Sequence, residues 1–218
     1  MSNIAEPTLS LAERLRSATQ AMHRRVERST FMARLLQGEV DRSLYISLMH
    51  NLQALYSALE QALQRHAAHP AVAPVVMPEL FRSSAIEADL RLLRTAAHTT
   101  PPPLQTATQD YVQRLGTLDT TAPDLLVAHA YVRYLGDLNG GQALRRVVAR
   151  ALQLDEGAGT TFYDFGDRSS CQRLMLDFRH GLAMVELQCA DQDALVAEAV
   201  SAFERHGQLF AQLSAPTP

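Results

Sequence analysis

Three glycines stand where a helix should not hold them. The stretch HAYVRYLGDLNGGQALRRVV, residues 129–148, has a helical pattern on both sides, yet it contains Gly136, Gly140 and Gly141, three of the chain's 10 glycines. Each glycine inside a helix costs about 1 kcal/mol relative to alanine, so three within six positions need a compensating role. Gly136 and Gly140 are four apart and share one helix face, which is bare of side chains. Such a face serves close helix packing, or a turn between two helices, or a flat ligand lying directly on backbone. Asp137 sits inside the stretch, with Tyr131, Arg133 and Tyr134 close by in sequence. It reads either as a solvated helix-end carboxylate or as an acid aimed at the ligand and at water beside it.

A second set of residues fits the ligand reading. His23 lies beside the apolar positions Met22 and Val26, and Glu27 follows four residues later on the same face. A carboxylate that takes the second ring N–H is the usual way a metal-binding histidine is oriented. The bland alternative is a hydrogen-bonded residue at the core boundary. Arg16 precedes His23 by seven residues, two turns or roughly 10 Å along the helix, close to the span from a heme iron to its propionate edge. Phe203 and Phe210, seven apart in the last helical segment, would wall such a pocket or simply join the core.

Other constellations carry less. His66 and His69 have a metal-like spacing, but they end a helix before Pro70, where a solvated histidine is expected. Arg145, Arg146 and Arg150 read as a solvated face, or as a patch for an acidic partner. Paired Glu-x-x-His motifs of di-iron bundles are missing. So are G-x-S-x-G, H-E-x-x-H and G-x-G-x-x-G. All 20 basic residues are arginines, which removes every mechanism that needs a lysine. A net charge of −3 argues against a general nucleic-acid footprint. Cys171 and Cys189 match no metal spacing and no disulfide framework, so a reducing cytoplasm is expected. The N-terminal MSNIAEPTLS has no signal-peptide pattern, no run of about 18 apolar residues exists to span a membrane, and the tail AQLSAPTP is too polar and short to anchor the chain.

The elements that must position these residues are helical. Ser10 and Glu13 form a capping box, and Leu11, Leu15, Ala18, Met22 and Val26 continue as an apolar face to about Arg28. Asp41 caps a second helix with a leucine stripe from Leu44 to Leu63. Helices are further expected over 79–97 and 104–116, from a start at Thr121, Pro123 and Asp124 to about Leu152, and over 168–187 and 192–213. HPAVAPVV and TFYDF are the only strand-like runs, both short. The expectation is an all-α bundle of about seven helices, a single domain over residues 1–218 with flexible termini at 1–9 and 214–218.

The segments ATQAMHRRVERSTFM and LLVAHAYVRYLGDLNGGQ, with the proline-rich VAPVVMPELF between them, resemble the heme oxygenase family. The likeness runs from Leu11 to about Leu213 and is closest to the animal and cyanobacterial type, without the C-terminal anchor of the animal forms. It implies a soluble bacterial member that opens heme to biliverdin, ferrous iron and carbon monoxide, at the alpha-meso carbon. The resemblance makes His23 the iron ligand and Glu27 the partner of its other nitrogen. Gly136 and Gly140 become the distal glycines, Asp137 the carboxylate that orders water beside oxygen, and Tyr56 and Arg133 members of its polar network. Arg16, Tyr131 and Arg179 become propionate contacts.

The sequence departs from that pattern at four positions. Arg16 replaces a lysine, keeping its charge but not its geometry. Met175 stands where some members have a second lysine. Asn139 replaces a serine, and His206 replaces an asparagine and could carry a charge that asparagine cannot.

Heme would be both cofactor and substrate, with O2 as the other reactant. Electrons would come from an external donor, a ferredoxin or a reductase. The alternatives are a non-catalytic heme carrier or sensor, another enzyme on the same fold such as a thiamin-degrading hydrolase needing a pocket cysteine, and a plain interaction bundle.

Overall fold

The Ser10 box closes as its spacing predicts: the Ser10 N–H donates to Glu13 Oε2 at 2.9 Å, and the Glu13 N–H donates to Ser10 Oγ at 3.3 Å. The computed structural model describes residues 9–94, 100–155 and 157–215. Among them the chain forms eight α-helices and no strand. These are α1 (Leu11–Glu27), α2 (Thr30–Gln37), α3 (Arg42–Arg65), α4 (Ser83–Leu93), α5 (Thr106–Thr121), α6 (Leu126–Ala151), α7 (Arg168–Gln188) and α8 (Gln192–Ser214). Of the termini expected to be flexible, residues 1–8 and 216–218 lie outside the described residues.

The additional helix is α2. Its signals are local: Ser29 accepts the Met32 N–H, and Gly38 ends the helix in the left-handed conformation at φ 75°. Both are standard boundary chemistry, and they separate α2 from α1 within a run that reads by periodicity as one helix and a loop. Phe31 and Leu35 anchor it in the core. Asp41 caps α3 as expected, accepting the Leu44 N–H at 2.8 Å.

Helix boundaries differ most from the sequence reading where distant residues set them, and α6 starts at Leu126, after a 3-10 turn at Pro123–Leu125, rather than at Thr121. α4 begins at Ser83 rather than 79, after a 3-10 turn at Pro78–Leu80. It has no local side-chain cap. The Glu60 carboxylate of α3 takes the Ser83 backbone N–H at 3.2 Å and also accepts from the Ser83 hydroxyl. Residues 95–97 of the expected helix lie outside the described residues. α5 runs through Gly116 to Thr121, because Leu118 is buried and Arg65 and His66 of α3 bind Asp119 near its end. Thr121 therefore closes α5 and caps nothing; its hydroxyl donates to Thr117 O at 2.8 Å. The TFYDF run makes a 3-10 turn at Thr161–Tyr163, tied to α4 where the Thr161 and Phe162 N–H groups donate to Asp89.

α1 packs most extensively on α8, which also contacts α5 and α6. Its buried residues are Leu11, Leu15 and Thr19; Ala18 is exposed, and Met22 and Val26 are only half-buried. The apolar face is thus covered at its start and left open further on, where His23 lies. Gly181 of α7 meets the Ala73–Val75 turn so closely that a Cβ would come within 2.2 Å of Pro74 O. In the core, α5, α6 and α8 share a polar chain. Arg114 donates to Glu198 at 2.6 Å, His129 Nε2 is 3.0 Å from Glu198, and the Tyr111 hydroxyl is 3.0 Å from His129 Nδ1. Burial lowers the His129 pKa against the pull of Glu198. The neutral ring then donates from Nε2 and accepts at Nδ1.

Desolvation alone would raise the Glu198 pKa, but the bonds from His129 and Arg114 outweigh it and hold the carboxyl at about 2. A depressed carboxyl stabilises the fold above its unfolded pKa, about 4.3, and that contribution is lost as pH falls through the folded value. Glu198→Gln is expected to cost about 1.5–3 kcal/mol at pH 7, the scale of hydrogen bonds to a charged group. The difference from the parent protein should shrink between pH 4 and pH 2, as read from urea denaturation midpoints.

Candidate functional site

α1 and α6 line a cavity of about 610 Å³, with Arg179 of α7 and Phe203 of α8 contributing to its wall. Sites that take cofactor-sized ligands typically enclose about 300–1,000 Å³. From α1 the lining includes Arg16, Thr19 and His23, and from α6 Tyr131, Leu135 and Gly136. His23, Arg16 and Thr19 share the space because positions four and seven apart fall on one helix face.

His23 keeps 48% of its side chain exposed, unusually open for a ring beside a core. Its Nδ1 lies 3.3 Å from Glu27 Oε2. Its edge meets the Phe203 ring with centroids 5.8 Å apart. The carboxylate and the phenyl ring together hold the imidazole, and Nε2 is the nitrogen left for a metal.

The three helix glycines divide into two kinds. A Cβ at Gly136 or Gly140 would meet nothing within 4 Å, whereas one at Gly141 would come within 3.3 Å of Tyr163 O. Gly141 thus lets the Thr161–Tyr163 turn close onto α6, while Gly136 and Gly140 leave open space. α6 stays helical through all three. Packing accounts for Gly141, and the open space at Gly136 and Gly140 leaves room for a ligand there.

Asp137 is no solvated carboxylate. Its side chain is 10% exposed and turned into a buried cluster with Tyr56 of α3 and Arg133. The Tyr56 hydroxyl donates to Asp137 Oδ2. Arg133 donates from Nε and Nη2 to the Tyr56 oxygen at 3.0 and 2.9 Å, and from Nη2 to Asp137 Oδ1 at 3.3 Å. Burial raises the Asp137 pKa, opposed by the Arg133 charge and the Tyr56 bond. Burial likewise holds the Tyr56 hydroxyl well above its ordinary value. The cluster adjoins the cavity through Gly136, which precedes Asp137.

One edge of the cavity is cationic. Arg16, Arg24 and Arg179 line it, with Glu13 as the acidic residue among them. Tyr131 is part-buried, and its pKa is raised by burial against a hydrogen bond with Thr19 and the charges of Arg16 and Arg179. Arg24 and Thr19 escaped the sequence reading; their signal is position, next to His23 and one turn before it. Met175, one turn from Arg179 on α7, packs against the core and brings no charge.

Several expected residues fall elsewhere. Phe210 does not line this cavity; it packs on Phe31 and His206, with ring centroids at 4.7 and 4.2 Å. His206 does not carry the expected charge. It is buried, and burial together with the facing Arg133 guanidinium pushes its pKa well below the ordinary value. Asn139, by contrast, lines the cavity, and its amide donates to Leu135 O within α6. His66 binds Asp119, and no group of three metal-binding side chains occurs among the described residues. Arg145 pairs with Asp164 at 3.0 Å, and Arg146 and Arg150 are exposed. Both cysteines are buried outside the cavity, so no pocket thiol is available for a hydrolase.

The all-helical scaffold thus brings an open imidazole, a bare helix face and a cationic edge to one cavity. The family model for heme oxygenase matches residues 9–212. Heme oxygenase 1 of Nostoc sp. is 36% identical, over 94% of this chain and 86% of its own. Heme oxygenase 1 of Homo sapiens is 37% identical over 93% and 71%. The crystal structure of heme oxygenase-1 from the cyanobacterium Synechocystis sp. in complex with heme superposes with a TM-score of 0.87 at 34% identity, covering 94% of this chain and 93% of that one. The chain belongs to the heme oxygenase family, enzymes of heme degradation.

The division among the glycines is testable. Gly136→Leu should fold at least as well as the parent, gaining up to about 1 kcal/mol of helix propensity, yet weaken hemin uptake at least tenfold in a Soret titration. Gly141→Ala should do the reverse, lowering thermal stability and leaving hemin affinity within about threefold.

Proposed function

We propose that this protein is a single-domain cytoplasmic enzyme that uses O2 and reducing equivalents to convert heme into biliverdin, ferrous iron and carbon monoxide, opening the ring at the alpha-meso carbon. One observation carries the reading: an imidazole braced by Glu27 shares an open cavity with a helix face that has no side chains at Gly136. A flat ring fits between them. A Cβ at Gly136 would project into free space, and the arginine edge suits two carboxylates. No helix among the described residues is long and apolar enough to cross a membrane.

When bound, heme supplies the oxygen-binding iron and is itself the substrate. His23 would hold the iron through Nε2, with Glu27 accepting the Nδ1–H. That bond would fix the ring's tautomer and orientation. His23 would thus give the iron an imidazole donor, which pushes less electron density onto it than a thiolate does. Arg16, Tyr131 and Arg179 would hold the propionates and so orient the ligand. Charge-assisted bonds of this kind are the strong ones. With Met175 adding no cation, rotation rests on these groups and Arg24.

Asp137 provides proton control on the glycine side. Its carboxylate accepts from Tyr56 and Arg133, so a water bound to it is held in one orientation and presents a hydrogen toward the cavity. A simple carrier or sensor has no use for this buried cluster, which favours the enzyme over a binding module. Electrons come from an external ferredoxin or reductase.

Asp137→Ala should bind hemin within about threefold of the parent, while biliverdin yield under air with a reductant falls at least tenfold; undiminished yield would contradict the assigned role. His23→Ala should lose turnover, and added imidazole should restore part of it. Arg179→Leu should still form biliverdin but as a mixture of isomers on chromatography. A pure alpha isomer from that variant would show that the cationic edge does not set rotation.

A further inference from the structure

The open apolar face of α1 borders a second cavity. It encloses about 490 Å³ between the last turns of α1 and the C-terminal half of α8, a size usual for a small-molecule site. Met22 and Val26, both half-buried, form its α1 wall. Phe203 and Phe210 supply its aromatic surface. Phe203 also lines the first cavity and Phe210 does not, so one ring stands between the two spaces. On α8, a Cβ at Gly207 would meet only Val26 Cγ2, at 3.7 Å, which is an ordinary contact. Packing therefore does not require glycine there, and the missing side chain leaves room beside the helix.

The charges on this lining do not balance. Arg25, in the last turn of α1, and Arg28, at its C-cap, stand against one acid, Glu204. Both arginines are exposed, and neither guanidinium has a partner among the described residues. An arginine fork matches a carboxylate. The apolar strip from Phe203 to Phe210 spans two helical turns, roughly 10 Å, which suits one extended hydrocarbon chain. We propose that this cavity binds a single-chain alkyl carboxylate, with the chain against Met22, Val26 and the two phenyl rings and the head group at Arg25 and Arg28. The site is separate from the heme cavity, so both ligands bind together.

The test uses hemin-loaded protein, which keeps the first cavity filled. Dodecanoate, titrated by calorimetry below its micelle concentration, should bind at one site per chain and leave the Soret band in place. Octanoate should bind at least tenfold more weakly, because each buried methylene adds to the affinity. Dodecyltrimethylammonium, with the opposite head charge, should also bind at least tenfold more weakly. Gly207→Phe fills the space and should weaken dodecanoate at least tenfold, with hemin affinity within threefold of the parent. The exposed pair Arg25→Gln and Arg28→Gln, combined, should weaken it at least fivefold and remove the preference over the ammonium compound. No uptake by the hemin-loaded parent would overturn the proposal. So would displacement of hemin, which would put the chain in the heme cavity, or equal binding of octanoate or of the ammonium compound. Attachment to phosphatidylglycerol vesicles without dodecanoate binding would make this face a membrane contact and refute the proposed site. The chain-length series and the arginine pair decide the matter even if Gly207→Phe does not fold.

Discussion

The arrangement depends on burying one arginine. A guanidinium removed from water carries a desolvation cost of several kcal/mol unless its donors are met. Arg133 meets them with Tyr56 from α3, Asp137 one turn along α6, and His206 from α8. Three helices are thereby fixed to a single planar group. The same bonds that make the charge tolerable hold the Asp137 carboxylate still. Arg133 also remains charged, because the surrounding acceptors outweigh desolvation.

The two walls of the cavity are built by opposite means. α1 presents side chains at helical spacing, with His23 held between Glu27 and Phe203. α6 presents their absence at Gly136, and its Asp137 carboxylate is held by Tyr56 and Arg133. A helix with bare backbone toward a ligand gains little from its own propensity, so tertiary packing must hold it. Gly141 against Tyr163, Leu126 and Tyr134 in the core, and the His129–Glu198 pair all serve that end. Around the rim, arginine replaces lysine throughout the chain. It offers a fixed fork in place of a mobile point charge, a stiffer way to hold a carboxylate.

Much of this was legible in the residues. Capping chemistry at Ser10 and Asp41 placed α1 and α3 correctly, because the partner groups lie within one turn. Helical spacing put Arg16 and His23 on one face, and the cost of three glycines marked α6 as unusual. α2 was missed although Ser29 and Gly38 bracket it, since an eight-residue helix carries too few apolar repeats to stand out. The limits of α4 and α5 were unreadable for a different reason: Glu60, Arg65 and His66 set them from α3.

The sequence by itself determined the helical class, the family resemblance and the types of group available: one imidazole with a carboxylate four residues on, an acid among glycines, and cations of a single kind. Only the tertiary structure decided how those groups are used. It separated Gly141, which packs, from Gly136 and Gly140, which leave space. It buried Asp137 where sequence allowed a solvated acid, moved Phe210 away from the cavity, and buried His206 against Arg133. The reason is common to all of these. Spacing along a helix fixes which side chains are neighbours on one face, but burial and protonation depend on what another helix sets against that face.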